Sequence, residues 1–265
     1  MTISEIDYSH LDRPEVITLL FHPRPEWGGT GPRTPVRDVM VDVDENIAVS
    51  GRLHMRSNSG ANILFFHGNG EIAADYDQLG PLINNMGINF LVFDYRGYGL
   101  STGSPTVTAM MRDCHLVYDF VARWLKKNSF TGPLIVMGRS LGSASALELA
   151  SAYMGQVSGL VVESGFADTG PLLQVLGIDL RAMRFKEKKG FGNRKKMAGF
   201  KKPTLVIHAE KDHIISLSEG LALYEACASE RKYLLQIPGA NHNTIFSHGL
   251  TEYMTALKNL AESLR

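Results

Sequence analysis

The sequence predicts an α/β fold with one mostly parallel, doubly wound sheet and antiparallel strands at its N-terminal end. From residue 62 onward, short and continuous apolar runs alternate with longer amphipathic stretches. Apolar runs of this kind mark parallel strands that helices bury on both faces. Residues 35–55 differ, because apolar and polar residues alternate there, as they do in half-buried antiparallel strands.

The same patterns place the individual elements in order. We predict antiparallel strands over 16–22 and within 35–55, with a loop between them, since residues 22–35 hold four prolines and three glycines. Six buried parallel strands are predicted over 63–66, 88–93, 134–137, 160–162, 204–207 and 233–237. The predicted helices lie over 75–86, 107–127, 141–153, 218–228 and 251–264.

Length and composition limit the class of protein. The 265 residues suit a single α/β domain spanning 1–265 with a sizeable core. Lys plus Arg equals Asp plus Glu at 27 each, so the basic excess of a nucleic-acid-binding domain is missing. The two cysteines, Cys114 and Cys227, form no disulfide framework and fit a reducing compartment. No targeting pattern or membrane-spanning apolar run is present, so we expect a soluble, cytoplasmic protein.

Residues 169–202 interrupt the alternation and predict a short basic cap inserted between two strands. Within them, 181–202 carries ten Lys and Arg side chains against one Glu, a local charge of +9 in a chain of zero net charge. A cap of this charge would attract an anionic substrate or an acidic membrane surface. A solvated, mobile loop is the other interpretation. Apolar residues just before the basic run, Leu176 among them, could line an acyl pocket.

The motif Gly138-Arg139-Ser140-Leu141-Gly142 directly follows a predicted strand and precedes a helix-compatible stretch. A G-x-S-x-G motif in this setting holds a serine on a sharp, strained turn, where the glycines avoid clashes that a Cβ would cause. The helix N-terminus directs free N–H groups toward incoming negative charge. We therefore predict that Ser140 is a nucleophile.

A second motif, His67-Gly68-Asn69-Gly70, ends the first parallel strand at the sheet edge where open α/β folds bind ligands. Attack by serine on a carbonyl places negative charge on oxygen, which preorganised N–H groups stabilise by roughly 10²–10³ in rate per donor. We assign these donors to Asn69 and Leu141, with Gly70 as an alternative to Asn69. The other interpretation of the motif is an ordinary glycine turn.

His242 is the predicted general base. It lies in a turn after the strand 233–237 and before the last predicted helix, so it projects over the same edge of the sheet. Folds with a G-x-S-x-G turn supply their triad in the order serine, acid, histidine, which requires a late histidine. His248 is the alternative, although a surface or capping role fits it better.

The acid of such a triad orients the imidazole and stabilises its charged form. Asp212 is our choice, because it follows the strand 204–207 at the same edge of the sheet. Glu210, in the same loop, and Asp168, which follows the preceding strand, remain alternatives.

Together these motifs resemble those of the α/β-hydrolase superfamily, from about residue 62 to the C-terminus. The matching segments occur in that family's order and at its spacings: 67–70, 94–101, 138–142, 208–212 and 239–242. The chain looks most like the branch with palmitoyl-thioesterase-like enzymes and serine-aminopeptidase-like lysophospholipases. Ala209 departs from the pattern, since relatives often have glycine there. The resemblance implies a triad of Ser140, Asp212 and His242, with Asn69 and Leu141 as oxyanion donors.

The sequence thus predicts a serine hydrolase that cleaves a small carboxylic ester or thioester through an acyl-Ser140 intermediate. No metal or organic cofactor is called for. Gly70, Glu71 and Leu176 are the candidate substrate-binding residues. An aminopeptidase or amidase would use the same triad, with Glu71 as the obvious ligand for an α-amino group. A non-catalytic binding module on the same fold is the alternative from another class.

Overall fold

A computed structural model describes residues 3–27 and 36–264, so part of the predicted loop, 28–35, lies outside the described residues. The strands are β1 (Val36–Asp44), β2 (Ile47–His54), β3 (Asn62–Phe66), β4 (Asn89–Phe93), β5 (Leu134–Arg139), β6 (Gly159–Glu163), β7 (Thr204–Ala209) and β8 (Lys232–Ile237). The helices are α1 (Pro14–Leu20), α2 (Leu79–Asn85), α3 (Val107–Lys127), α4 (Gly142–Ala152), α5 (Thr169–Val175), α6 (Asn193–Gly199), α7 (Leu217–Ala226) and α8 (Ile245–Glu262). Short 3₁₀ helices lie at Ile3–Glu5, Ala73–Tyr76 and Glu187–Lys189. In the described part of the chain, no helix is long and apolar enough to cross a membrane.

The sheet has the order β1-β2-β4-β3-β5-β6-β7-β8. β1 pairs antiparallel with β2, and β2 with β4, whereas the strands from β3 onward pair in parallel. This arrangement confirms the predicted α/β class with antiparallel leading strands. The strand order reverses between β3 and β5, whose ends meet where Phe66 lies opposite Gly138. Open α/β sheets bind ligands at such a reversal, beyond the C-terminal ends of the strands.

Side chains alternate along the buried strands and fill a core on each face of the sheet. In β3, Leu64 and Phe66 belong to the core covered by α3, α4 and α7, whereas Ile63 and Phe65 belong to the core covered by α2 and α8. All four are at most 2% exposed. Burial of each such side chain stabilises the fold by about 1.5–3 kcal/mol. Because helices cover both faces, consecutive residues within these strands are apolar, as they are from Ile63 to Phe66.

The prediction of a strand over 16–22 is wrong, because the chain forms helix α1 there. Pro14 lies in the first turn of α1 and is followed by Glu15. Both residues favour a helix start, through the fixed φ of proline and the attraction of the carboxylate to the helix dipole. Val16 and Leu20, four residues apart, are the buried positions of the helix. Spacing along one helical face therefore outweighs the strand-like composition of the run.

Helix α8 begins at Ile245 rather than at residue 251, and it is kinked at Gly249, where φ is −149°. A Cβ on Gly249 would lie 2.7 Å from the side chain of Ile237, at the end of β8. The missing side chain lets the helix pass close to the strand. The kink also interrupts the helical period, which hides the start of the helix from a pattern-based prediction.

The basic segment 169–202 forms α5, a 3₁₀ turn and α6 before the chain enters β7. The carboxylate of Glu187 accepts two backbone N–H groups at the start of α5, at 2.6 and 2.9 Å. These orphan donors of a helix N-terminus are thereby satisfied. Lys196 of α6 forms a buried ion pair with Glu148 of α4 at 2.6 Å. The segment is thus fastened to the main helical layer.

Candidate active site

Ser140 lies on a strained turn between β5 and α4. Its φ is +53°, a left-handed conformation that costs free energy in any residue with a side chain. A Cβ on Gly138 would lie 2.2 Å from the carbonyl oxygen of Gly142, and a Cβ on Gly142 would lie 2.1 Å from that of Phe66. The N–H of Ser140 donates to the carbonyl of Glu163 at 2.8 Å, which ties the turn to the end of β6. The two glycines therefore make the turn sterically possible.

His242 and Asp212 complete a hydrogen-bonded series with Ser140. His242 Nε2 lies 3.0 Å from Ser140 Oγ, and His242 Nδ1 lies 2.7 Å from Asp212 Oδ2. An ionised carboxylate only accepts hydrogen bonds, so Nδ1 carries the proton and Nε2 accepts from the serine hydroxyl. All three residues are buried, at no more than 9% exposed. In this geometry the imidazole can take the hydroxyl proton while the carboxylate stabilises the resulting charge.

Asp212 is held in place by the loop that follows β7. Its Oδ1 accepts hydrogen bonds from the N–H groups of Ile214 at 3.0 Å and Ile215 at 2.8 Å. Burial raises the pKa of Asp212, but the hydrogen bond from His242 and those from the backbone outweigh it and lower the pKa below its ordinary value. The carboxylate is therefore charged at neutral pH, as the predicted orienting role would require.

The other residues considered for these roles have different partners. Asp168 pairs with Arg194 on the surface. Glu210 accepts a hydrogen bond from the N–H of Gly239 at 2.7 Å and so supports the turn that carries the buried histidine. His248 is exposed within α8, where its Nδ1 donates to a backbone carbonyl one turn earlier at 2.9 Å. These contacts of Asp168, Glu210 and His248 therefore do not connect the three residues to Ser140.

The loop after β3 lies against the start of α4, because Gly142 touches its backbone. Asn69 is anchored in this loop through its side chain, whose Oδ1 accepts from the hydroxyl of Tyr98 at 2.7 Å and from the N–H of His22 at 2.8 Å. Among the described residues, neither the backbone N–H of Asn69 nor that of Leu141 has a hydrogen-bond acceptor. Two free N–H groups in adjoining segments could stabilise an oxyanion.

His67 and Asp94 fasten the base of the same loop. His67 Nε2 lies 3.2 Å from Asp94 Oδ1, and Nδ1 lies 2.8 Å from the carbonyl oxygen of Gly68. Burial lowers the pKa of His67, but the hydrogen bond to Asp94 outweighs it, so the pKa is raised. Asp94 also accepts from the hydroxyl of Ser50 at 2.6 Å and the N–H of Ala73 at 2.8 Å. This buried cluster limits the freedom of the loop that carries Asn69.

A cavity of about 470 Å³ opens beside these groups. Arg139 and Asn243 contribute to its lining and are the chain neighbours of Ser140 and His242. Four of its lining residues are aliphatic or aromatic hydrophobic side chains from α2 and α8: Leu79, Leu82, Phe246 and Leu250. The remaining lining is polar or phenolic: Glu71, Asp75, Tyr76 and Gln78.

The three predicted substrate-binding residues have different surroundings. Gly70 has a φ of +76° and no atom within 4 Å of the place a Cβ would occupy, so it faces open space. Glu71 lines the cavity, but its carboxylate accepts from the hydroxyl of Tyr76 at 2.7 Å and pairs with Arg139. Leu176 is half-buried and packs against the core on the face of the sheet away from the cavity. Their roles in binding substrate stay predictions.

Sequence reasoning missed the buried charges next to Ser140. Arg139 and Glu163 lie opposite each other in the register of β5 and β6. Arg139 Nε donates to Glu163 at 3.0 Å, and Arg139 Nη2 donates to the carbonyl oxygen of His242 at 2.6 Å. The available signal was the placement of two opposite charges at the ends of consecutive apolar runs.

A doubly wound sheet with a serine on a strand-to-helix turn, followed along the chain by an acid and a histidine, defines an α/β hydrolase. Residues 57–189 match the model of the family described as "Serine aminopeptidase, S33". The chain therefore belongs to this family of α/β hydrolases. The match spans the loop after β3, the turn at Ser140 and most of the basic segment, and it ends before Asp212 and His242.

Two similar proteins among the curated sequences have names that describe the fold. The human "Alpha/beta hydrolase domain-containing protein 17B" is 30% identical over 209 residues, which cover 76% of this chain and 66% of that protein. The Caenorhabditis elegans "Alpha/beta hydrolase domain-containing protein aho-3" is 30% identical over 213 residues, which cover 77% of this chain and 58% of that protein. The chain thus spans less than two thirds of the length of these relatives.

Solved structures share the fold at low sequence identity. The Pyrococcus furiosus esterase Pf2001 superposes with a TM-score of 0.73 and 20% identity, covering 91% of this chain and 98% of that one. A monoacylglycerol lipase of Paleococcus ferrophilus superposes with a TM-score of 0.64 and 17% identity, covering 83% of this chain and 99% of that one. These likenesses support the architecture of the sheet and its helices.

Proposed function

We propose that this protein is a serine hydrolase that cleaves a carboxylic ester or thioester through an acyl-Ser140 intermediate. The observation that carries the proposal is the hydrogen-bonded series from Ser140 through His242 to Asp212, with distances of 3.0 and 2.7 Å. A serine hydroxyl is a weak nucleophile until an adjacent base can remove its proton. Membership of an α/β-hydrolase family supports the same assignment.

The proposed reaction has two halves. In the first, His242 removes the proton of Ser140 while Oγ attacks the carbonyl carbon, and the same proton then passes to the departing alcohol or thiol. In the second, His242 takes a proton from water, the hydroxide attacks the acyl carbon, and Ser140 regains a proton as the acid leaves. Asp212 keeps the proton of the imidazole on Nδ1 and stabilises the charged ring without being protonated itself.

The backbone N–H groups of Asn69 and Leu141 are the proposed oxyanion donors. Two observations support this assignment. Neither N–H group has a hydrogen-bond acceptor among the described residues, and the side chain of Asn69 is held by Tyr98 and His22. Leu141 also lies at the N-terminus of α4, whose dipole favours negative charge. Each donor of this kind contributes roughly 10²–10³ in rate.

The cavity between α2 and α8 is proposed to hold an apolar part of the substrate. Its volume of about 470 Å³ lies within the roughly 300–1,000 Å³ of small-molecule sites. Its hydrophobic wall favours an acyl chain or another aliphatic group over a strongly charged one. The prediction that Leu176 lines an acyl pocket would require a second binding region on the other side of the sheet.

Residues 169–202 are proposed to act as a cap that draws in an anionic substrate, such as a coenzyme A thioester or a phosphate-bearing lipid. Nine of the ten basic side chains in 181–202 are exposed. Eight of these nine form no ion pair with another described residue: Arg181, Arg184, Lys186, Lys188, Lys189, Lys195, Lys201 and Lys202. Peripheral contact with an acidic membrane surface would use the same cations.

The two alternatives have weaker support. An aminopeptidase needs a carboxylate that is free to bind the α-amino group of a peptide. Both oxygens of Glu71 already accept hydrogen bonds from the protein, which leaves that carboxylate poorly suited to the task. A non-catalytic binding module would have no use for the hydrogen bond between Ser140 and His242.

Hydrolysis of p-nitrophenyl esters, from acetate to palmitate, and of acyl-coenzyme A thioesters tests the proposal. Turnover is expected for the wild type, with a loss on the order of 10⁶ in Ser140→Ala, as for another serine hydrolase without its nucleophile. Ser145→Ala is the matched control, because Ser145 is also a buried serine and lies in α4. Its turnover should stay within about twofold of wild type.

Covalent labelling with a fluorophosphonate separates the possible failures. Retained turnover in a folded Ser140→Ala variant would contradict the proposed nucleophile. A wild type that labels at Ser140 and cleaves aminoacyl amides faster than esters would favour the aminopeptidase. A folded wild type with neither labelling nor turnover would favour the binding module.

A further inference from the structure

We propose that Arg139 is a positioning residue that holds the nucleophile turn, the oxyanion loop and the histidine loop in one arrangement. The inference rests on the proposed function, since those names presuppose a serine hydrolase. Arg139 precedes Ser140 in the chain and is 7% exposed. Its backbone belongs to β5, so its own position is set by the sheet.

Each nitrogen of the Arg139 guanidinium contacts a different segment. Nε donates to Glu163 at the end of β6 at 3.0 Å. Nη1 donates to Glu71 in the loop after β3. Nη2 donates at 2.6 Å to the carbonyl oxygen of His242. A planar, rigid cation with five N–H donors can hold three groups in a fixed relation, which the flexible ammonium group of lysine cannot do.

Glu71 transmits this restraint to the oxyanion loop. Its Oε2 accepts the backbone N–H of Gly68 at 2.7 Å and the hydroxyl of Tyr76 at 2.7 Å, while Oε1 faces Arg139. Gly68 immediately precedes Asn69, whose N–H is a proposed oxyanion donor. Burial raises the pKa of Glu71, but Arg139 and the hydrogen bonds outweigh it and lower the pKa. The link between Arg139 and the loop is therefore a charged one.

Glu163 closes the other side of the network. Its Oε1 accepts from Arg139, and its Oε2 accepts from the hydroxyl of Tyr253 in α8 at 2.7 Å. Burial disfavours the charge on Arg139, yet Glu71 and Glu163 raise the pKa of the guanidinium above its ordinary value. A buried cation with two carboxylates is costly to build and is weak support for stability alone. A role in fixing relative positions accounts for its presence next to Ser140.

The expected consequence concerns the reaction step more than substrate binding. The oxyanion donors and the imidazole must both meet the same reacting carbonyl group. A displacement of about 1 Å in such groups can cost about 10² in rate. Loss of Arg139 should therefore lower kcat by about tenfold to a hundredfold while KM changes by no more than about twofold.

Arg139→Gln and Arg52→Gln form a matched pair for the test. Arg52 is likewise 7% exposed, but it lies on β2. It pairs with three carboxylates: Glu26, Asp38 and Asp77. Amide hydrogen exchange of the 265-residue chain is measured for segments 67–72 and 239–245. Arg139→Gln should accelerate exchange in both segments, whereas Arg52→Gln should accelerate it in neither. Unchanged exchange in both segments of Arg139→Gln would overturn the proposal.

Kinetics on p-nitrophenyl esters supply the second readout, and a charge-neutral variant separates positioning from stability. Glu71→Gln, Arg139→Gln and Glu163→Gln combined leave no buried unpaired charge, so the thermal midpoint should recover toward the wild-type value. The kcat of this triple variant should nevertheless remain at least about tenfold below that of the wild type, because no guanidinium joins the three segments. Recovery of kcat together with stability would overturn the proposal. Arg139→Lys, which keeps the charge, should likewise fail to restore kcat.

The two proposals fail in distinguishable ways. A wild type without turnover and without fluorophosphonate labelling would refute the serine hydrolase. The hydrogen-exchange comparison needs no activity and would still decide whether Arg139 restrains both loops. Full activity in Arg139→Gln, with Ser140→Ala inactive, would refute the positioning role and leave the proposed function intact.

Discussion

At Ser140 the backbone has a φ of +53°, and the glycines two residues before and after it carry no Cβ. Most of the atoms that enforce this pattern are local, since a Cβ on Gly138 would meet the carbonyl of Gly142. The motif could therefore be identified from five consecutive residues. Phe66, which contacts Gly142 from β3, is the part of the constraint that depends on the folded sheet.

The acid was harder to assign from the sequence, because three carboxylates follow two neighbouring strands. The structure separates them by distance: Asp212 lies 2.7 Å from His242, whereas Asp168 pairs with Arg194 and Glu210 with the N–H of Gly239. A distance between side chains in separate loops is a tertiary property. No sequence pattern around these residues encodes that distance.

Asp212→Asn is expected to lower kcat by about 10⁴, because an amide can stabilise the wrong tautomer of the imidazole. The measurement is ester hydrolysis by the purified variant, with circular dichroism as the check on folding. Asp168→Asn is the control, since that side chain forms a surface ion pair with Arg194. Its kcat should stay within about twofold of wild type. A larger loss in Asp168→Asn than in Asp212→Asn would reverse the assignment.

At the scale of elements, one carboxylate joins three helices. Glu148 of α4 lies 2.6 Å from Lys196 of α6 and 3.3 Å from Nε2 of His115 in α3. Burial raises the pKa of Glu148, but the hydrogen bonds and charges of His115 and Lys196 outweigh it and lower the pKa to about 2. Lys196 also reaches the hydroxyl of Tyr8 at 3.1 Å. The basic segment is therefore attached to the helical layer through a buried charged group.

Glu148→Gln is expected to weaken the dependence of the unfolding free energy on pH between pH 4.5 and pH 2. The folded pKa of Glu148, about 2, lies below its ordinary value of 4.5, so the charged carboxylate stabilises the fold above pH 4.5. That contribution, about 3 kcal/mol at most, is lost as pH falls from 4.5 toward 2. Urea unfolding at pH 7 and at a series of acidic pH values measures the unfolding free energy and so this contribution.

Glu252→Gln, in an exposed position of α8, is the control for this prediction. Its unfolding free energy should follow the wild-type curve within about 0.5 kcal/mol. If the unfolding free energy of Glu148→Gln fell with acid as steeply as that of the wild type, the stabilising role of the charged Glu148 would be contradicted.

Element boundaries could be predicted where periodicity is uninterrupted. The helix predicted over 107–127 has the observed bounds of α3, and the six parallel strands agree within two residues at each end. Two predicted elements differ from the structure. Helix α1 has a strand-like composition, and α8 is broken at Gly249 by its close approach to Ile237. In both cases packing against the core decided the outcome.

At the scale of the whole molecule, charge is unevenly distributed. Residues 181–202 carry +9, so the rest of a neutral chain carries −9. The longer segment 169–202, which contains these residues, follows the end of β6, at the edge of the sheet where Ser140 and His242 lie, and leads to the start of β7 at the opposite edge. Such a field raises the local concentration of an anionic ligand, and salt weakens the effect.

Reversal of three of these charges tests the proposed preference for anionic substrates. The combined variant Lys186→Glu, Lys188→Glu and Lys189→Glu should raise KM for an acyl-coenzyme A thioester by about tenfold at low salt. KM for neutral p-nitrophenyl butyrate should stay the same. Steady-state kinetics at two ionic strengths measures both, and the difference should shrink as salt is added.

A second triple variant controls for net charge. Arg123→Glu, Lys126→Glu and Lys127→Glu change the same number of exposed cations near the end of α3. Because helices return antiparallel to the strands, this end lies at the opposite edge of the sheet. An equal rise in KM for the thioester in both triple variants would refute a specific role for the basic segment.

The sequence by itself determined the α/β class, the strand order along the chain and the serine turn, because these depend on local periodicity and on glycines a few residues apart. Only the tertiary structure decided which carboxylate faces His242, where the cavity lies, and that Arg139 reaches three segments. Those contacts join residues up to 103 positions apart, as between Arg139 and His242. Pairing at such separations is set by sheet topology and packing, which no short stretch of sequence encodes.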